Sequence, residues 1–141
     1  MIKRQQMLAA RLCGKEDIRI VKSSQPPLPK EGQALIRVKA VGICGSDLHQ
    51  YKQGSRTEPV ILGHEFSGVV EDTGENCFDG FNQPLRKGTR VAVDPNQSCG
   101  KCEMCEKGHP NLCLNLHFAG FFPDNGALQE WITVPSRCCF P

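Results

Sequence analysis

Four cysteines lie within one fifteen-residue stretch, and no other feature of the sequence limits the possible folds as much. They are Cys99, Cys102, Cys105 and Cys113. Each Cys-x2-Cys turn brings two sulfurs within reach of one ion, and four thiolates complete the tetrahedron that zinc prefers. Because a complete set leaves no open position, the spacing predicts a structural zinc lobe over about residues 95–118. An iron–sulfur cluster also uses four cysteines and stays open as an alternative.

The cysteine count also bears on the cellular compartment. The 141 residues include nine cysteines, an odd number, whereas a secreted disulfide scaffold typically uses an even set in a shorter chain. No apolar run approaches the ~20 residues that cross a bilayer, and no signal-peptide core is present near the start. The net charge of +2 is too balanced for electrostatic binding of nucleic acid. We therefore expect a cytoplasmic protein with no membrane or nucleic-acid partner.

Short strand patterns separated by Gly and Pro predict a mostly β, barrel-like fold. In residues 34–41 apolar side chains alternate with Arg37 and Lys39, which is the period of a half-buried strand. The predicted strands cover residues 7–12, 18–21, 34–41, 66–71, 90–93 and 128–134. Two short helices are predicted, at residues 46–52 and 103–107.

Two segments interrupt this pattern. Residues 25–32 contain three prolines and predict an extended connector. Residues 76–90 contain two glycines and a proline and predict a surface loop. We expect Phe78 and Phe81 to pack this loop against the domain rather than to bind a ligand.

A second group of residues has the composition of an incomplete zinc site. Gly-Ile-Cys-Gly-Ser-Asp-Leu-His at residues 42–49 is followed by Gly-His-Glu at residues 63–65. Cys44 offers a thiolate and His64 an imidazole, and a catalytic zinc takes about three protein ligands and keeps a fourth position open. A buried structural cysteine and a hydrogen-bonded core histidine are the simpler interpretation of these two residues alone.

The neighbours of these two residues also allow more than one interpretation. Ser46 could cap the short helix that follows it. His49 lies about one helical turn after Ser46, so it could share a face with Ser46 or be an exposed side chain without a role. Glu65 follows His64 in a predicted strand, where alternation places their side chains on opposite faces and favours an indirect role for Glu65.

Together these motifs resemble the N-terminal GroES-like catalytic domain of the zinc-dependent medium-chain alcohol and polyol dehydrogenases. They cover essentially the whole chain in the family's order: residues 42–49, 63–65 and 88–93, then the cysteine lobe. Thr89 stands where the family usually has Asp. Residues 121–128 resemble the loop before the last strand of sorbitol-dehydrogenase-like members. The implied fold is a GroES-like barrel with short helices and a zinc-binding lobe.

The resemblance implies two zinc ions, one structural and one catalytic. The structural zinc belongs to the cysteine lobe. Cys44 and His64 are implied as ligands of the catalytic zinc, and Glu65 as an alternative ligand or as a carboxylate behind the ligands. Asp47 is implied to hold the ligand imidazole in one tautomer.

The implied reaction is the oxidation of a small-molecule secondary alcohol or polyol to a ketone with NAD or NADP. Ser46 is implied to touch the substrate hydroxyl, and His49 to carry its proton on to solvent. In such enzymes zinc supplies a Lewis acid and the nicotinamide accepts the hydride.

The nucleotide-binding half of that family is not in the sequence. Among the fourteen glycines no two are separated by a single residue, so Gly-x-Gly-x-x-Gly cannot occur. We therefore interpret residues 1–141 as one catalytic-domain portion without its NAD(P)-binding domain, and we expect it to be inactive alone. The resemblance also implies a further catalytic zinc ligand beyond Pro141 and a homo-oligomeric full-length enzyme.

Two other functions stay open on the sequence alone. One is a binding module that is stabilised by zinc and has no catalytic activity. The other is a co-chaperonin-like assembly protein with the same barrel. The presence of both Cys44 and His64 argues against the first, and the cysteine lobe argues against the second. Metal content distinguishes them, because the enzyme domain binds two zinc ions, the module one and the co-chaperonin none.

The first prediction concerns the order of the cysteine lobe. The lobe has little apolar content between its first and last cysteines, and metal binding in small Cys-rich sites contributes about 10–16 kcal/mol. We expect Cys102→Ser to loosen residues 95–118 and to leave the barrel folded. Amide hydrogen exchange tests this, and a uniform loss of protection across residues 34–41 and 128–134 would contradict it.

Overall fold

The structure is a computed structural model and describes residues 6–54 and 58–141. Ten strands lie in these ranges, together with two short α-helices and two single-turn 3-10 helices at Pro110–Leu112 and Ser136–Cys138. The strands are β1 (Gln6–Gly14), β2 (Asp17–Ser24), β3 (Gln33–Gly42), β4 (Val60–Ile61), β5 (Glu65–Thr73), β6 (Arg90–Val93), β7 (Asn96–Gln97), β8 (His117–Phe118), β9 (Trp131–Pro135) and β10 (Cys139–Phe140). The α-helices are α1 (Gly45–Gln53) and α2 (Glu103–Glu106). Neither helix is long and apolar enough to cross a membrane.

The strands form two larger antiparallel sheets and one small ribbon. The sheet orders are β10-β6-β5-β3-β9, β2-β1-β4 and β7-β8. Ala9 of β1 pairs with Gln129, and the Ala10 N–H donates to the Leu128 carbonyl at 2.8 Å. The segment just before β9 therefore joins the two larger sheets, and the mostly β prediction is confirmed.

The main core lies against one face of the five-stranded sheet. Successive side chains of a strand point to opposite faces, and the apolar side chains of these strands lie on the same face. Ala34 pairs with Val134 and Ile36 with Ile132 across β3 and β9. All four of these side chains are buried. Phe66 and Val70 of β5 and Val91 and Val93 of β6 continue this cluster.

A smaller cluster packs α1 against β1 and the segment after β4. It consists of Leu12, Val60, Leu62, Tyr51 and Leu128. The Glu16 N–H also donates to the Tyr51 carbonyl at 2.8 Å, which ties the turn between β1 and β2 to the end of α1. The helix that carries several candidate site residues is therefore fixed to the sheet.

The strand predictions hold for the long strands, which extend by one to a few residues beyond the predicted ends. The prediction over residues 128–134 is wrong for its first three residues, because β9 begins at Trp131. The preceding residues pair with β1 instead, with the Glu130 N–H donating to the Leu8 carbonyl at 3.2 Å. The two-residue strands β4, β7, β8 and β10 have no period that a sequence pattern can reveal.

The loop over residues 76–90 is held differently from the expectation. Phe78 is 45% exposed and Phe81 is 64% exposed, although the Phe81 ring meets Phe140 edge-on with the centroids 5.3 Å apart. The loop is anchored by Cys77 and Leu85, which are buried in the main core. The buried Asp79 shapes the turn between them, because its Oδ1 accepts the N–H groups of Phe81 and Gln83 at 2.8 and 2.9 Å.

The second prediction tests the core. Ile36 is fully buried in β3, and its truncation to alanine leaves a cavity, so Ile36→Ala should lower the free energy of unfolding by about 2–5 kcal/mol. Ile20 of β2 is 70% exposed, and the same change there should stay within about 0.5 kcal/mol. Urea unfolding of both variants measures the difference, and equal losses would contradict this assignment of the core.

Candidate metal centres

The four cysteines of the lobe converge on one point. Their sulfur atoms all lie within 4.8 Å of one another, which suits four ligands of a single ion. Backbone amides support them, since the Cys99 and Asn115 N–H groups donate to the Cys113 sulfur at 3.2 and 3.3 Å. N–H donors near sulfur favour the thiolate form, which is the form that binds metal.

The thiols of the lobe differ in acidity. The backbone N–H groups of Cys105 and Leu114 lower the pKa of Cys102 to about 6, and the Lys101 N–H lowers the pKa of Cys99. Loss of hydration raises the pKa of Cys105 to about 11. Near neutral pH a metal must therefore displace a proton from Cys105, so its affinity for the lobe falls as the pH falls.

The lobe leaves and re-enters the domain through the ribbon of β7 and β8, which we call the stem. Gln97 lies opposite His117 in this ribbon. Arg137 follows β9 in the chain, and its guanidinium donates a hydrogen bond to the carbonyl of Ser98, at the start of the lobe. The last residue of the stem is Phe118, which reaches the second group of candidate ligands.

This second group consists of Cys44, His64 and Glu65. One donor atom from each lies within 4.8 Å of the others. Cys44 follows β3 and Glu65 begins β5, and Gly42 of β3 pairs with Glu65. A Cβ at Gly42 would come within 2.9 Å of the Glu65 carboxylate, so the glycine leaves this carboxylate its space. A thiolate, an imidazole and a carboxylate are all ligands that zinc takes, and three of them leave a position open.

The position of Glu65 differs from the alternation argument. His64 lies before β5 begins, and Gly63 turns the chain there with φ at 93°. Alternation applies only inside a strand, so the two side chains need not point to opposite faces. The structure therefore brings Glu65 into the same group of donors as His64.

Asp47 connects the two segments that carry these donors. Its side chain is buried, Oδ2 accepts the Cys44 N–H at 2.9 Å and Oδ1 accepts the Gly63 N–H at 3.3 Å. Oδ1 also lies 3.5 Å from the His64 Nδ1, an ion-pair distance that does not amount to a hydrogen bond. Among the residues that the structure describes, that buried nitrogen has no hydrogen-bond partner. The simpler interpretation of His64 as a hydrogen-bonded core histidine therefore does not account for its Nδ1.

Ser46 and His49 both lie on α1. Cys44 is the N-cap residue of the helix, so Ser46 lies inside the first turn rather than at the cap. The Ser46 hydroxyl is 3.3 Å from the His64 Nε2, beside the donor group. His49 is exposed on the same helix, three residues further on.

Two phenylalanines beside His64 are absent from the sequence-based site. The Phe118 and Phe121 rings have their centroids 5.7 and 5.5 Å from the His64 ring, and they meet each other edge-on at 5.3 Å. The resemblance marked residues 121–128 only as similar to the loop before the last strand of sorbitol-dehydrogenase-like members. Nothing in the sequence marks Phe118, because its contact with His64 forms only in the folded domain.

The sequence profile described as "Alcohol dehydrogenase GroES-like domain" matches residues 30–141. The chain belongs to this family. L-idonate 5-dehydrogenase of Vitis vinifera is 39% identical over 110 residues, which are 74% of this chain and 29% of that protein. Sorbitol dehydrogenase of Arabidopsis thaliana is 38% identical over 110 residues, again 74% of this chain and 29% of that protein.

A solved structure confirms the GroES-like fold of this domain. A short chain alcohol dehydrogenase of Escherichia coli CFT073, complexed with the cofactor NADH, superposes with a TM-score of 0.81 at 35% identity. The match covers 96% of this chain and 38% of that chain. The chain thus spans about a third of the length of the proteins it resembles.

The third prediction separates the two groups of donors. The lobe offers four thiolates from one short stretch, whereas the second group has three donors and an open side. Fewer ligands bind more weakly, and protons compete with the metal for the ligand atoms. On chelator titration the metal at Cys44, His64 and Glu65 should leave first, and faster as the pH falls.

Cobalt substitution measures the order of release directly, because four-thiolate and mixed-ligand sites absorb differently. If the lobe lost its metal first, or if both metals left together at every pH, the division into a closed and an open centre would be wrong.

Proposed function

We propose that this domain is the catalytic portion of a zinc-dependent NAD(P) oxidoreductase that oxidises a secondary alcohol or polyol to a ketone. The observation that carries the proposal is the three-donor group of Cys44, His64 and Glu65, which leaves a coordination position open. The relatives named above as L-idonate 5-dehydrogenase and sorbitol dehydrogenase support a polyol as substrate. The NADH complex of the similar solved structure supports a nicotinamide as hydride acceptor.

The metals are proposed to divide into one structural and one catalytic zinc. Cys99, Cys102, Cys105 and Cys113 would hold the first and close around it. Cys44, His64 and Glu65 would hold the second. A zinc bound there supplies a Lewis acid that favours loss of the alcohol proton.

The remaining residues of the site are proposed to bind substrate and move this proton. The Ser46 hydroxyl, 3.3 Å from the His64 Nε2, stands where it can accept the proton of a substrate hydroxyl. His49 is exposed on the same helix and would pass the proton to solvent. Asp47 holds the backbone on both sides of the site, and Phe118 and Phe121 exclude water from one side of His64.

The nicotinamide would supply the hydride acceptor, held by a domain not contained in these 141 residues. Hydride transfer needs the cofactor positioned against the substrate carbon, so the domain alone is proposed to be inactive. A cytoplasmic location and a homo-oligomeric state are part of the same proposal. The location rests on the odd number of cysteines, and the oligomeric state rests on the family resemblance.

The fourth prediction tests this function with a fusion protein. Residues 1–141 would replace the matching segment of the Vitis vinifera L-idonate 5-dehydrogenase, which contributes its remaining length. The fusion should oxidise a secondary alcohol or polyol with NAD or NADP. Loss of a positioned acid–base group costs about 10²–10⁴-fold in rate, so Ser46→Ala should lower kcat at least a hundredfold.

Metal analysis of the unfused domain provides the control against the other functions. Two metal ions per chain agree with the enzyme domain, and Cys44→Ser should remove one of them. One ion in the unchanged chain would support the binding module, and none would support the assembly protein. A folded fusion with both metals and bound cofactor that oxidises no alcohol would overturn the proposal.

A further inference from the structure

Asp124 closes a short loop beside the group of Cys44, His64 and Glu65, which we call the open centre. Its carboxylate accepts a hydrogen bond from the His117 Nδ1 at 2.9 Å and another from the Phe118 backbone N–H at 3.2 Å. Within the loop the Phe121 N–H donates to the Phe118 carbonyl, and the Asp124 N–H donates to the Phe121 carbonyl. The Asp124 carboxylate therefore connects the two ends of residues 117–124, which we call the aromatic loop.

The aromatic loop carries the two rings that contact His64. Phe118 and Phe121 meet edge-on and both lie within 5.7 Å of the imidazole, measured between ring centroids. Edge-to-face arrangements of this kind depend on the relative orientation of the rings. The Gln50 amide of α1 also donates to the Gly120 carbonyl at 3.4 Å, which brings the loop against the helix that carries Ser46.

The two ends of the aromatic loop are held by different contacts. Downstream of it, the Asn125 Oδ1 accepts the Ile61 N–H at 3.0 Å and the Gly126 N–H donates to the Ile61 carbonyl at 2.6 Å. Upstream, Phe118 is held by the stem and by the Asp124 carboxylate. Loss of this carboxylate therefore leaves Phe118 held by the stem alone, without the contact that fixes it to the far end of the loop, and leaves the downstream anchor intact.

We propose that the hydrogen-bonded pair of His117 and Asp124 positions Phe118 and Phe121 and, through these rings, fixes the orientation of the His64 imidazole. Both members of the pair are positioning residues, since each acts through the phenylalanines. The consequence for metal binding rests on the proposed function, in which His64 is a ligand. The His117 side chain is 61% exposed and that of Asp124 28%, so the pair adds little to global stability.

The first readout needs metal only in the cysteine lobe. Ring currents of two adjacent phenylalanines shift the proton NMR signals of an imidazole, so the domain with zinc in the lobe and none at Cys44, His64 and Glu65 should show displaced His64 signals. In Asp124→Ala these signals should move toward those of a free histidine. Asp124→Asn keeps an oxygen that can accept the Phe118 N–H, so it should move them only in part.

Glu71→Ala serves as the matched control. The Lys87–Glu71 pair is also partly exposed, and it lies outside the aromatic loop. Its removal should leave the His64 signals unchanged. His117→Ala should act in the same direction as Asp124→Ala but less strongly, because Asp124 still accepts the Phe118 N–H in that variant.

The second readout is cobalt affinity, with the cysteine lobe as an internal reference. Removal of a residue that orients a metal ligand costs about 10–100-fold in affinity, and we expect the low end, near tenfold, for Asp124→Ala. Cobalt binding at Cys44, His64 and Glu65 should weaken by that factor. Binding at the four-thiolate lobe should stay unchanged.

Each outcome decides the proposal. Unchanged His64 signals in Asp124→Ala overturn it, and so does equal weakening of both cobalt sites, which indicates general loosening of the domain. If the His64 signals move but the unchanged chain binds no cobalt at the open centre, the positioning of the imidazole stands and the proposed function fails.

Discussion

The open centre depends on a single buried carboxylate, that of Asp47. A carboxylate removed from water is costly unless hydrogen bonds replace its hydration, and here the Cys44 and Gly63 N–H groups do so. Cys44 lies just after β3 and Gly63 just before β5, so this side chain joins the two segments that carry the candidate ligands. The sheet brings the two strands together, and Asp47 determines how the loops at their ends meet.

The two centres differ in how they assemble. The cysteine lobe collects its donors from one short stretch, and its backbone N–H groups prepare the sulfurs locally. The open centre instead takes its geometry from the long-range pairing of β3 with β5, in which Gly42 meets Glu65. We therefore expect the lobe to depend on metal for its order, whereas the open centre depends on the fold for its shape.

The parts of this molecule that the sequence predicts are those in which a chemical group or an apolar residue recurs at a fixed interval. The cysteine spacing predicts a cluster of four sulfurs, and alternation predicts β3 and β5. The alternation argument does not apply to Glu65, because His64 lies before β5 and Gly63 turns the chain there. The contacts of Phe118 and Phe121 with His64 cannot be predicted from the sequence. They join segments that are far apart in the chain, and the loop that carries the two rings has no periodic pattern of apolar residues.

The stem has a consequence for how such domains evolve. Because Gln97 and His117 face each other in one ribbon, the lobe starts and finishes at nearly the same place. A chain that omitted residues 98–116 would need only a tight hairpin turn to continue into β8. The lobe is in this sense an insertion, and shortening it would leave in place the sheet that contains β3 and β5.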